Sequence, residues 1–243
     1  MADSSTVSTD ELPAHLRLLV ENALEVDRLV EIHGKVGGKG RGRRAGLEVL
    51  NKSAIVLLVA CWEVYVEELA KQSFDLLLRE APDANVFPAK VLALVALELK
   101  KKEDERAIWS LAGDGWKAVL KQHSEHVRRR HIGRFHTPDT KQVDGLFEAL
   151  LGLKGLSNGW SWQGMSAPTA ASKLDELITL RHEIAHQVKT TKPVHKVTPA
   201  QYSHFVMRLA GVCSNQVGAF LQQRIAKEPW ITVKYLARRR IAS

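Results

Sequence analysis

The chain has 243 residues, 45% of them hydrophobic and 26% charged, with a formal net charge of +8 and a pI near 9.5; this length buries a substantial core in one domain, and the positive surface favours phosphate-bearing partners over basic ones. The two cysteines, Cys61 and Cys213, sit far apart in apolar helical patterns, which excludes a disulfide framework and a paired-cysteine metal site. The longest strictly apolar run, residues 54–62, falls short of the roughly 20 residues of a membrane span, and the polar, acidic first ten residues lack the order of a secretory signal, so the expectation is a cytoplasmic protein without a membrane role.

Helical periodicity runs through almost every long segment, and alternating strand patterns are scarce. The expected fold class is all-α: residues 11–228 form one domain of about six to seven helices, between a polar tail at 1–10 and a basic tail at 229–243. A first helix is expected over residues 9–33, with Leu16, Leu19, Val20, Ala23, Val26 and Val30 in its apolar stripe and Gly34 ending it. Residues 34–46 are glycine-rich and carry Lys35, Lys39, Arg41, Arg43 and Arg44. They read as a basic loop, a solvated linker or a phosphate contact, without the Gly-Lys-Ser/Thr order of a phosphate loop.

The second helix, residues 46–80, is apolar nearly all round from Ala54 to Trp62 and belongs at the centre of a bundle, with Glu63, Glu67 and Glu68 immediately after. A third helix starts near Pro88. Residues 116–130 make a fourth, with Trp116, Val119, Leu120 and Val127 on its apolar side and a basic end. That end, Arg128, Arg129, Arg130 and His131 with Arg134 beyond it, reads either as an RNA-backbone contact or as a solvated helix terminus stabilised by the dipole. Phe135, His136, Thr137 and Pro138 form a turn, and Asp139 or Thr140 caps the next helix.

The following helix starts near Pro168, with Leu174, Leu177, Ile178, Ala185 and Val188 directed at the core. Thr198 and Pro199 supply a cap and first-turn proline for a last helix reaching about Lys227. Beyond Pro229 the chain ends in Arg238, Arg239 and Arg240, either a disordered basic arm or a partner-docking strand.

Residues 181–186 read Arg-His-Glu-Ile-Ala-His, which satisfies two unrelated catalytic patterns. From His182 it is His-Glu-x-x-His, two zinc-ligand histidines one turn apart with a glutamate to activate water. From Arg181 it is Arg-x4-His, a permanent cation that clamps phosphate and an imidazole that moves protons near neutral pH. As a bare string the zinc pattern is the rarer. Catalytic zinc, however, normally takes a third protein ligand. The only acidic residue after Glu183 is Glu228, at the end of the last helix, which leaves His195 and His204 as candidates.

In the Arg-first reading, His182 and His186 align with Asp175 and Thr179 on a polar stripe. Arg181 lies about 100° round from His182, at the edge of the core. A structural alternative pairs Arg181 with Glu63 or Glu67 and leaves the histidines as ordinary polar-face residues.

Three features together resemble the HEPN superfamily, specifically its RiboL-PSP-HEPN branch, over about residues 52–221. They are the apolar helix ending in Trp62 and Glu63, the Phe135, His136, Thr137, Pro138 turn leading to Leu146 and Phe147, and residues 177–187 with the Arg-x4-His motif. The resemblance implies a helical bundle that forms a homodimer with two motif helices facing across a cleft. It implies metal-independent endoribonuclease activity on RNA, without a cofactor, commonly in toxin–antitoxin or antiviral systems, with an antitoxin or other defence protein as a further partner. Arg181 and His186 match the family's defining pair. His182 occupies the polar position after the arginine, and Glu63 the acidic position of the early helix, where a supporting role is expected. Other members keep the fold as non-catalytic RNA-binding or interaction modules.

Overall fold

A computed structural model of the chain describes residues 9–37, 47–101, 104–133, 135–187, 190–191, 193–234 and 236. Among these are seven α-helices and no strand: α1 (Ala14–Gly37), α2 (Glu48–Glu80), α3 (Ala89–Lys100), α4 (Gly115–His131), α5 (Thr140–Leu151), α6 (Ala167–Gln187) and α7 (Val197–Ile225). The all-α expectation holds. The basic stretch from Gly38 to Gly46, Arg134, Val188 and the terminal Arg238, Arg239 and Arg240 lie outside the described residues.

The bundle is built around α2, which packs against α1, α7, α6, α5 and α4. Its length and apolar character would suit a membrane span by composition alone, but Ile55, Leu58, Trp62, Tyr65, Leu69, Phe74 and Leu77 are fully buried against other helices. Each such side chain contributes about 1.5–3 kcal/mol of burial. The two aromatic residues with polar tips find partners: the Tyr65 hydroxyl donates to the Ala210 carbonyl at 2.6 Å, and the Trp62 indole N–H donates to the Pro138 carbonyl at 2.9 Å. The second bond fixes the turn before α5 against α2, one residue from Glu63.

The expected first helix begins later and ends later than its pattern suggests. Pro13 sits just before Ala14, and residues Thr9–Glu11 form a separate 3-10 turn. Gly34 does not stop α1, which continues to Gly37. A Cβ at Gly34 would stand 3.1 Å from the Lys196 Nζ, the mobile end of a long side chain that can give way. The last helix opens at Val197 with Lys196 before it, so Thr198 lies inside the first turn instead of capping it. Asp139 does cap α5, its carboxylate accepting from Gln142 N at 2.8 Å.

The described part of the C-terminal segment packs on the bundle. It folds back over α7. Val233 and Leu236 are buried, Asn215 exchanges two 2.9 Å bonds with the Val233 backbone, and the Trp230 indole donates to Ser214 O at 3.1 Å. Trp230 fits because position 218 is glycine: a Cβ there would lie 2.9 Å from its indole nitrogen.

Candidate functional site

Helix α6 starts with Ser166, whose hydroxyl accepts from Thr169 N at 3.3 Å, and Pro168 occupies its first turn. Ala170, Leu174, Leu177 and Ile178 are its buried residues. The hexapeptide occupies the end of the helix, where it leaves the core. Arg181, Glu183 and Ile184 are half-buried, whereas His182, Ala185, His186 and Gln187 are exposed. The expectation that Ala185 faces the core is therefore incorrect: it is exposed, while the neighbouring Ile184 packs against the core.

By helical rotation Arg181 shares the side of Leu174, Leu177 and Ile178, the side that packs on α2. There its charge reaches Glu63. Burial raises the Glu63 carboxyl above its ordinary pKa, and the charges of Arg181 and His136 partly oppose that rise. Burial also raises Glu67, further lifted by the charge of Glu63 and again opposed by His136. Two half-buried carboxylates, one guanidinium and one imidazole from three separate elements thus form one electrostatic cluster.

An ion pair placed only for stability would lower its carboxyl, whereas both of these rise. Clusters of this kind are enriched at functional sites. The sign gives a test. Ionised Glu63 costs stability in the folded state, so Glu63→Gln is expected to raise the urea midpoint at pH 8. That gain should fade as the pH falls through the elevated carboxyl range, where the parent's own Glu63 becomes neutral. A lowered midpoint at pH 8 would mean that attraction to Arg181 dominates.

His182 and His186 form the second part of the site. Their ring centroids are 5.1 Å apart at 39°, both on the solvent side of α6. Arg181 and His186 are five residues apart, hence rotated by about 140° and displaced by about 7.5 Å along the axis. One protomer therefore presents an arginine turned toward α2 and a pair of imidazoles turned outward. The sequence reading missed His136. It is exposed on the turn that Trp62 pins, and its only sequence signal was its place in the Phe135–Pro138 string.

The zinc reading finds no third ligand: among the described residues no three His, Cys, Asp or Glu side chains converge as a metal site. Glu183, the required general base in that scheme, is engaged elsewhere. Its two carboxylate oxygens accept from Thr191 N and Oγ1, both at 3.1 Å, so it clips the chain leaving α6. That connection is pinned again where Val194 N donates to Glu48 at 3.2 Å and Asn51 donates to Val194 O at 2.8 Å. Asp175, placed on the same polar stripe, accepts from Thr140 N at 2.9 Å and ties α5 to α6.

A groove of about 980 Å³ lies between α6 and α7 on the other flank of the motif, with Asp175, Glu176 and Glu183 in its wall. Three carboxylates make it a poor seat for phosphate. The basic end of α4 divides. Arg128 is held by Asp75 at 2.5 Å and Glu125 at 3.0 Å, Arg129 and Arg130 are exposed, and His131 is half-buried with its Nε2 unpartnered. Burial lowers the His131 pKa, reinforced by Arg130 and Lys90.

A family profile described as RiboL-PSP-HEPN matches residues 25–210, from within α1 to within α7. No curated protein and no solved structure matches the chain.

Proposed function

Because the chain belongs to the RiboL-PSP-HEPN family of the HEPN superfamily, whose domains are often ribonucleases, we propose that it is a metal-independent endoribonuclease acting as a homodimer. The observation that carries this reading is the placement of Arg181 in the Glu63, Glu67 and His136 cluster while His182 and His186 stand exposed on the same helix end. Arg181 contacts the non-bridging oxygens of the scissile phosphate. Its fork of donors suits them, and Glu63 orients it from behind.

One neutral imidazole takes the proton of the ribose 2′-hydroxyl as the 2′-oxygen bonds to phosphorus. A protonated imidazole gives its proton to the departing 5′-oxygen as that P–O bond breaks. His186 is assigned the principal role, and His182 assists or orients. The products are a 2′,3′-cyclic phosphate and a 5′-hydroxyl. A twofold partner supplies a second Arg181 and a second histidine pair to the same cleft. The exposed end of α6 supports that arrangement, since Ala185, His186 and Gln187 lack cover in one protomer. The cellular setting we propose is a toxin–antitoxin or antiviral system.

The purified protein is expected to cut single-stranded RNA in excess EDTA and leave cyclic phosphate ends. Activity that vanishes with the chelator and returns with zinc would overturn the mechanism. Binding without any cutting would reduce the protein to an RNA-binding module of the same family.

A further inference from the structure

A cleft of about 460 Å³ lies between the C-terminal half of α2 and α4. Four of its lining residues are cations, Arg79, Lys117, Lys121 and Arg128, and one is a carboxylate, Asp75. Lys117 and Lys121 are one turn apart on α4, and Arg128 follows two turns later on the same face. Arg128 is braced by Asp75 and Glu125, which fixes the direction of its guanidinium. The Lys117 ammonium stands 5.4 Å from the Trp116 ring centroid, and neither cleft lysine has an ion-pair partner among the described residues. Arg79 is paired with Glu80 at 2.8 Å, so the charge of the cleft that neighbouring carboxylates do not neutralise is that of Lys117 and Lys121.

Asp75 and Arg79 follow Glu63 on α2 by twelve and sixteen residues, about 18 and 24 Å along the axis and about 120° and 160° round it, so a strand joining the two would wind partly round the helix. The neighbouring α4, which lines the cleft, ends at His131, and the chain then enters the turn whose His136 charge acts on Glu63. A few nucleotides of single-stranded RNA cover that span.

We propose that the α2–α4 cleft is a second RNA subsite, holding a backbone phosphate of the strand whose scissile phosphate lies at Arg181. This rests on the ribonuclease reading above. The cleft lacks an aromatic platform for stacking bases, so it grips the backbone and adds affinity without sequence preference.

The test compares the parent with Lys117→Glu/Lys121→Glu. A charge-matched control carries Arg28→Glu and Lys35→Glu on α1, which packs against α2 and α7. Binding is followed by fluorescence anisotropy for oligouridylates of about 20 and about four residues, and cleavage is assayed in parallel. The subsite predicts a Kd for the longer strand at least about tenfold weaker in the cleft variant, a smaller loss for the shorter strand, and a salt dependence shallower by about 0.7 log units per decade, the loss of one phosphate contact. Unchanged thermal unfolding shows that these surface lysines do not act through folding, and Lys117→Ala/Lys121→Ala is expected to reproduce the effect at smaller amplitude. Equal long-strand binding by parent and cleft variant, or an equal loss in the α1 control, overturns the subsite while cleavage by the parent leaves the enzyme reading standing. A parent that neither binds nor cuts RNA overturns both. A parent that binds without cutting removes the catalytic reading, and the subsite is then judged on the anisotropy alone.

Discussion

Arg181→Ala is expected to lower the rate of RNA cleavage by about a thousandfold, equivalent to about 4 kcal/mol of transition-state stabilisation. His186→Ala is expected to fall in the range of about 10² to 10⁴-fold usual for removing a general acid or base. The two losses have different signatures. Arg181→Lys keeps the charge but loses the planar fork, so it recovers only a small part of the activity, whereas a purely structural partner of Glu63 would be replaced well by lysine. Arg181→Ala also leaves Glu63 without the cation that opposes its raised pKa. A fall in stability is therefore expected with the fall in rate, while the exposed His186 is removed without such a cost.

Mixing the two inactive variants tests the twofold arrangement. If each cut draws Arg181 from one protomer and His186 from the other, mixed dimers regain activity that neither variant has alone. Parent-like cleavage by His186→Ala would remove it as the principal proton carrier and direct attention to His182 and His136.

Much of the bundle was legible because helix burial repeats along the chain. The fully buried run around Leu58 and Trp62, the Asp139 cap and the Pro168 start of α6 each follow from residues within a few positions of one another. Elsewhere the local pattern misled or fell short. Gly34 reads as a helix stop, yet α1 continues three residues beyond it. Ala185 continues the apolar period of α6, yet it is exposed, and it is Ile184 that packs against the core. Arg181 and Glu63 were paired as one option from sequence. The addition of His136 required the Trp62 to Pro138 bond. Glu183 looked catalytic or idle by pattern, and its bonds to Thr191 give it a structural task instead.

In the acid range the largest expected change in stability with pH comes from His15, which no motif distinguished. It is fully buried, with Nδ1 2.9 Å from Gln72 Oε1 and Nε2 2.9 Å from Ser214 Oγ. Because Gln72 also donates to Glu68 at 2.8 Å, its carbonyl oxygen faces the imidazole. His15 therefore donates through Nδ1 and accepts at Nε2. The Trp230 ring stacks edge-on at 5.0 Å, so the same histidine joins α1, α2, α7 and the returning C-terminal segment.

Burial lowers its pKa from 6.5 to about 4, against smaller opposing effects of the Gln72 bond and the Glu68 charge. Above pH 6.5 the imidazole is neutral in both folded and unfolded chains. As the pH falls below 6.5 the unfolded chain takes up a proton that the native site refuses until about pH 4, so stability is lost across that interval, by about 3 kcal/mol in all. His15→Gln is expected to be less stable than the parent at pH 8, because Ser214 and Gln72 lose well-placed partners. The gap should narrow or reverse by pH 4, measured as the difference in urea unfolding free energy. A gap that stays constant from pH 8 to pH 4 would remove His15 as the titrating group. Glu63 and Glu67 act in the opposite sense, since their raised carboxyls favour the folded state as they protonate. Acidification therefore relaxes the strain at the Arg181 cluster while it weakens the His15 junction that holds the C-terminal segment on the bundle.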